Sequence, residues 1–281
     1  MKQRIFTALC LLPLVVIAIF KLPWFMFVMF LSAIIMFAFF EWHRFLRRKF
    51  NPLQLIILAL IFSGCNITGI FLNNIFLNKQ ISIHYVILAI GVIWWLIASA
   101  LVITYPNSSK FLCFSSALHH VFGICTLLPF FWSVLLLRAV ESNTYSSYGA
   151  RLVLFVFLIV WSVDIGAYFF GKIIGKSKMA PLVSPNKTIE GLIGGVVTSL
   201  MVSYFFSQFF CIKFSSSISM AVIIFFTIVV SVMGDLVESM FKRVSGIKDS
   251  GSIIPGHGGI LDRIDSLAAA FPVFAFLYLI F

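Results

Sequence analysis

The sequence predicts an all-α, polytopic integral membrane protein of about nine transmembrane helices, with its site at the cytoplasmic ends of the C-terminal helices. Three observations carry this. First, the 281 residues are 62% hydrophobic with a mean hydropathy of +1.11, and no polar stretch is long enough for a separate soluble domain. Second, apolar runs recur near the roughly 20 residues that cross a hydrocarbon core as a helix. They are continuous, not alternating, which favours helices over a barrel. Third, only 10% of residues are charged, and most of these gather in a few short stretches between the runs.

The elements follow in order. The first segment, Ile5 to Phe20, comes after Lys2 and Arg4. A basic start before an apolar run resembles a secretory signal. No small-residue cleavage site follows, and a second run begins at once, so a retained anchor is expected. The second segment, Trp24 to Phe40, ends in EWHRFLRRKF, whose Arg44, Arg47, Arg48 and Lys49 read as a cytoplasmic stop. Glu41 either pairs with that cluster, the usual fate of a membrane-boundary charge, or reaches the site. Segments at Leu53 to Leu72, Tyr85 to Tyr105 and Ala117 to Leu137 are chemically quiet. His119 and His120 are adjacent, point to different helix faces, and suit interfacial hydrogen bonding better than chelation. The five cysteines show no CxxC spacing, so packing is their expected role.

The sixth segment, Leu152 to Phe170, carries Asp164. An acid inside an apolar run is costly and is read either as functional or as a hydrogen-bonded structural carboxylate. Next comes GKIIGKSKMAPLVSPNKTIEG, Gly171 to Gly191, with Lys172, Lys176, Lys178, Lys187 and Glu190. Ser184 to Thr188 precede an apolar helix, so they can cap it and present amides to an anion; the alternative is a solvated basic loop. The seventh segment, Leu192 to Cys211, opens with Gly194 and Gly195, which permit close helix packing. The eighth covers Ser219 to Gly234 and the ninth Ile260 to Phe281. Residues 1–150 thus read as a transmembrane scaffold and 151–281 as the catalytic region.

Between the last two segments lies the densest charge. Asp235, Glu238, Asp249, Asp262 and Asp265 are five of the nine acidic residues, and Lys242, Arg243, Lys248, Arg263 and His257 accompany them. If Ile223 to Lys242 is one helix, Asp235, Glu238, Ser239 and Lys242 share a face. Glycines and Pro255 then break the helix, and Asp262, Asp265 and Ser266 share a face of the next one. Acidic pairs on two helix ends can hold Mg²⁺ together with waters and substrate phosphates. Glycine amides beside Lys and Arg can cradle phosphate. The pattern suits metal-assisted phosphoryl or nucleotidyl transfer; a structural ion-pair network closing two helices is the other reading.

Charge also sets a topology. With nine segments and the amino terminus inside, fifteen Lys and Arg fall on the cytoplasmic side and five (Lys21, Lys79, Arg138, Arg151, Lys213) outside. Both charged loops then face the cytoplasm. The net charge of +11 also suits anionic lipid or nucleotide, while nucleic acid is excluded as a partner for so apolar a chain.

At these residues the chain resembles the phosphatidate cytidylyltransferase family, also called CDP-diacylglycerol synthase. The signature stands as Ser239, Lys242-Arg243, Lys248-Asp249, Pro255, His257-Gly258-Gly259 and Asp262-Arg263-Ile264-Asp265, with the family's spacing throughout. SPNKTIEG from Ser184 and DIGAYFFGK from Asp164 extend the resemblance, which is close over Trp161 to Asp265. It implies an enzyme that joins CTP to phosphatidic acid, giving CDP-diacylglycerol and pyrophosphate. It further implies Mg²⁺, a monovalent cation such as K⁺ as a second candidate, a homodimer, and a bacterial inner membrane setting. By the resemblance, Asp235 and Asp262 are the main metal ligands, and Asp249 and Asp265 support the metal or orient the bases. Lys242, Arg243, Lys248 and Arg263 neutralise phosphates, and His257, Gly258 and Gly259 line the phosphate loop. Ser184, Lys187 and Thr188 bind nucleotide or lipid phosphate, with Glu190 and Ser239 beside them. The rivals are a polyprenol kinase or another lipid-phosphate cytidylyltransferase, a transporter, and a scaffolding protein. A transporter site belongs near the bilayer midplane between related halves, whereas these charges gather at helix ends.

Overall fold

Apolar side chains without interruption favour helices that satisfy their own backbone, and helices dominate the computed structural model. It describes residues 2–45, 60, 63–64, 67, 82–109, 116–140, 147–254, 256 and 258–281. Eight α-helices stand among them: α1 (Lys2–Lys21), α2 (Trp24–Arg44), α3 (Ser82–Ile103), α4 (Ser116–Ala139), α5 (Tyr148–Ile173), α6 (Ile189–Phe209), α7 (Ser217–Val244) and α8 (Leu261–Ile280). Seven of them, α2 to α8, are long and apolar enough to cross a membrane, and α1 contributes the shorter apolar run Leu11–Lys21. The predicted segment Leu53 to Leu72 lies largely outside the described residues.

The all-α class holds, with one short non-helical element between α5 and α6. Lys178–Ala180 (β1) and Ser184–Thr188 (β2) form a two-stranded antiparallel hairpin, with Lys178 opposite Thr188 and Ala180 opposite Ser184. Pro185 cannot donate to a helix and biases Ser184 to extended backbone, so helical structure resumes only after Thr188. The Thr188 hydroxyl then accepts from Gly191 N at 3.1 Å and caps α6, as the sequence suggested for this stretch.

Helix α8 is the centre of the bundle. It is buried at Leu261, Ile264 and from Ser266 to Ala275, and it packs against α2, α3, α4, α5 and α7. Phe130 of α4 and Phe157 of α5 meet Phe271, Phe155 meets Phe274, and the Trp95 indole donates to Ala268 O at 3.1 Å. Small residues set the closest crossings, as expected where lipid offers no hydrophobic drive between helices. A Cβ on Gly194 would collide with the Phe170 side chain and one on Gly195 would lie 2.7 Å from Val163 O, so α5 and α6 pack closely. A Cβ on Gly234 would lie 2.7 Å from Asp265 O, which brings α7 against α8 one residue before Asp235. The predicted partition of charge reappears in space. The hairpin, the end of α7, the start of α8 and the end of α2 meet at one end. Arg138, Arg151 and Lys213 lie at the other.

Candidate active site

The helical spacing of α7 does what it promised. Ser239 Oγ donates to Asp235 Oδ1 at 3.4 Å, and Lys242 Nζ lies 3.5 Å from Glu238 Oε1, both across one turn. Lys242 also reaches α8, donating to Asp262 Oδ1 at 2.9 Å. Glu238 is buried, with Asp262 and Asp265 beside it, so Lys242 is the cation that balances this group.

Asp262 is crowded with donors. Ser250 N donates to both carboxylate oxygens at 3.2 and 3.0 Å, Gly259 N to Oδ2 at 2.8 Å, and Lys242 to Oδ1. A carboxylate offers about four lone-pair sites, and these contacts fill them. A cation at Asp262 would therefore have to replace the Lys242 ammonium. Gly258 stands at φ +85°, and a side chain there would meet Asp262 Oδ2. Its carbonyl accepts from Ile254 N at 3.0 Å, closing the glycine-rich turn on itself.

The hairpin supplies the second half of the site. Lys187 Nζ lies 2.6 Å from Asp235 Oδ2, with side chains 27% and 30% exposed. Arg243 Nε donates to Val183 O at 3.1 Å, fastening the hairpin to the end of α7. Glu190 accepts from Lys176 N at 3.0 Å and Ser177 N at 3.1 Å, so its carboxylate holds the turn before β1. Ser184 is half-buried at the start of β2. Lys248, Asp249 and Arg263 are exposed at the same end, with Asp249 beside Gly258. His257 and Pro255 lie outside the described residues.

The two ion pairs differ in kind. The Lys242 and Asp262 side chains are 14% and 7% exposed and extensively bonded, so breaking that pair strands a buried charge. Lys187–Asp235 is partly exposed and has a single contact, and such a pair is held by about 1 kcal/mol. It can exchange either partner for a phosphate or a cation. Asp164, exposed on α5, lies within electrostatic reach of Asp235, Asp265, Lys187 and Arg263 and extends the acidic wall. Its position inside an apolar helix was the signal that pointed to it.

One residue escaped the sequence reading, and another, Glu41, takes the second of the two places the sequence offered it. Arg47, Arg48 and Lys49 of the basic cluster lie outside the described residues, while Glu41 is buried in the site. Its Oε2 accepts from Leu261 N at 2.8 Å and Ser250 Oγ at 3.1 Å. Ser250 is buried between Glu41 and Asp262, and nothing in its type or spacing singles it out. The neighbouring histidines take polar contacts: Trp42 Nε1 donates to His119 O at 2.9 Å, and His43 Nδ1 lies 3.1 Å from His120 Nε2.

A bundle of membrane-length helices whose one end holds opposed carboxylates, a basic hairpin and a glycine-rich turn defines an integral membrane protein with a charged site at one end of its helices. Residues 2–281 match the cytidylyltransferase family, and the chain belongs to it. It is 40% identical to a phosphatidate cytidylyltransferase of Haemophilus influenzae, covering 99% of this chain and 98% of that one. It is 38% identical to the protein of that name from Pseudomonas aeruginosa, over 99% and 96% of the two chains. A Staphylococcus saprophyticus relative of the same name is 47% identical over 45% of this chain and 48% of its own.

Proposed function

We propose that this chain is a membrane nucleotidyltransferase that joins CTP to phosphatidate, giving CDP-diacylglycerol and pyrophosphate in phospholipid synthesis. The carrying observation is the meeting of hairpin, α7 and α8 at one bundle end, where Lys187 opposes Asp235 and Lys242 opposes Asp262. Full-length similarity to relatives of that name supports it. A phosphate oxygen of phosphatidate attacks the α-phosphorus of CTP, and the bond to the β-phosphate breaks as pyrophosphate leaves. No protein nucleophile is needed. Lys187, Lys242, Arg243, Lys248 and Arg263 offset the repulsion between two multiply charged anions, and positioning with charge neutralisation lowers the barrier. Ser184, Thr188, Ser239 and the Gly258–Gly259 backbone border the space the phosphates would fill.

The donor set fits Mg²⁺. It is rich in carboxylate oxygen, and Asp235 is partly open. Among the described residues no three acidic, histidine or cysteine side chains form a ready cage. Mg²⁺ commonly uses one or two carboxylates and takes its other ligands from water and substrate phosphates. Asp235 would hold it, with Asp262 joining if Lys242 yields, and Asp265 and Asp249 in support. When bound, the ion supplies charge neutralisation at the phosphates. K⁺ is a second cation to test. The excess of Lys and Arg at the site end supports a cytoplasmic orientation, and bacterial relatives support an inner-membrane location. A homodimer follows the family resemblance and is checked by the mass of the detergent-free particle.

The test is product formation by the purified chain in detergent–lipid micelles with labelled CTP and phosphatidic acid, with and without Mg²⁺ and K⁺. A liponucleotide formed with matching pyrophosphate, only when Mg²⁺ is present, is the expected result. CDP formed with a phosphorylated lipid alcohol would replace this reading with a lipid kinase.

A further inference from the structure

We propose that Glu41, in the half of the chain that carries no site motif, is a positioning residue that clips the base of the glycine-rich turn and so sets its geometry for phosphate transfer. The geometry points to this from four directions. Glu41 is fully buried at the end of α2, and a buried carboxylate is costly unless it is bonded. Its bonds go to residues 209 and 220 positions away, Ser250 Oγ and Leu261 N. Those residues flank the turn on its two sides. Helix α8 has no side-chain cap at Ile260, and Glu41 takes its place by accepting from the first-turn amide, where negative charge is favoured.

The surrounding chain is shaped to this carboxylate. A Cβ on Gly251 or on Gly259 would collide with it, so the backbone on both sides of the turn closes against Glu41. The second clip, Asp262, holds Ser250 N and Gly259 N from the opposite side. Ser250 is thus held through its amide by one carboxylate and through its hydroxyl by the other. Asp262 is itself bound to Lys242, so a shift at the base of the turn moves the phosphate-neutralising groups. Among the described residues Glu41 makes no ion pair. Both of its bonds come from neutral donors, so its task is to fix distance and direction, and that depends on an acceptor at the right reach more than on charge.

The inference rests on the proposed reaction, and its test separates the two. Glu41→Gln, Glu41→Asp and Glu41→Ala would be made in the full chain and purified in lipid nanodiscs. For each, kcat and KM for CTP and phosphatidate, the unfolding midpoint, and amide hydrogen exchange over Ser250 to Asp262 would be measured. Gln keeps an oxygen acceptor at the same reach, Asp keeps the charge but is one methylene short, and Ala has neither. Position predicts the order Gln above Asp and Ala. Glu41→Ala loses about 100-fold in kcat, as a displacement of order 1 Å can do, with KM for phosphatidate little changed. Exchange at Gly259 to Leu261 rises about tenfold while the rest of the chain keeps its protection. An order with Asp above Gln would assign the role to charge and overturn the proposal. So would Glu41→Ala with normal kcat, or with lowered midpoint and yield but unchanged kcat per folded molecule. Should Glu41→Ala fail to fold, Ser250→Ala removes one donor to Oε2. Local exchange must then rise and kcat fall severalfold, and unchanged values would refute the clip. Exchange needs no turnover. If the wild type makes no liponucleotide while the variants loosen the turn, the reaction is wrong and the clip stands.

Discussion

The two ends of the bundle close their helices with opposite chemistry. At the end away from the site, hydroxyls and single arginines meet backbone and rings. Tyr148 and Tyr278 hydroxyls pair at 2.8 Å, Tyr148 accepts from Lys213 N at 2.9 Å, and Tyr278 donates to Lys213 O at 3.1 Å. Arg138 donates to Leu22 O at 2.7 Å and lies over the Phe27 ring. At the site end, acids face bases, and one ion pair is open while another is locked. A closure of hydroxyls and guanidinium groups on backbone carbonyls fastens the helices without setting acids against bases among the described residues. A charged closure is less efficient for stability, because desolvation offsets much of the attraction. It leaves instead a field that anionic substrates and cations can use. The difference singles out the charged end as the one suited to bind ions.

The sharpest way to break this comparison is Asp235→Asn. It removes the open carboxylate without changing side-chain size, and turnover should fall about 1,000-fold or more, the scale of losing a main electrostatic contact. The unfolding midpoint should fall only slightly, because the Lys187 pair is partly exposed and contributes about 1 kcal/mol. Retained activity would remove Asp235 from the metal role and weaken the reading of the whole end.

Lys242→Met should act differently. It leaves buried Glu238 and Asp262 without their shared cation, so a destabilisation of about 3 kcal/mol is expected, read as a lowered unfolding midpoint along with lost activity. Adding Glu238→Gln should recover part of the midpoint and none of the activity. Full stability in the single variant would show that the locked pair is not locked.

Gly194→Val tests the seam between α5 and α6 independently of charge. The added carbons meet the Phe170 side chain, and overpacking of this kind costs about 2 kcal/mol. Because the hairpin that follows α5 leads into α6, a rise in KM for CTP should accompany the lower midpoint. The smallest effect belongs to the opposite end. Tyr278→Phe removes one hydroxyl from the Tyr148 and Lys213 group and should cost about 1 kcal/mol, with kcat and KM unchanged. Lost activity there would refute the division of the two ends.

Much of this molecule is written locally. Continuous apolar runs require self-satisfied backbone in lipid, so the helical membrane class follows from composition and run length alone. The 3.6-residue period places Asp235, Glu238, Ser239 and Lys242 on one face whatever surrounds them, and Pro185 with Thr188 marks where α6 begins. The partition of Lys and Arg between loops placed both charged stretches at one end before any packing was known. Tertiary structure alone decided the pairings between elements: Lys187 with Asp235, Lys242 with Asp262 and, above all, Glu41 with Ser250 and Leu261. Glu41 reads locally as a partner for the arginines beside it. The approach of α2 to the start of α8 brought it into the site, the other place the sequence left open to it. Helix periodicity governs neighbours three and four apart, whereas contacts across 200 residues depend on how whole helices pack, and no local rule encodes that.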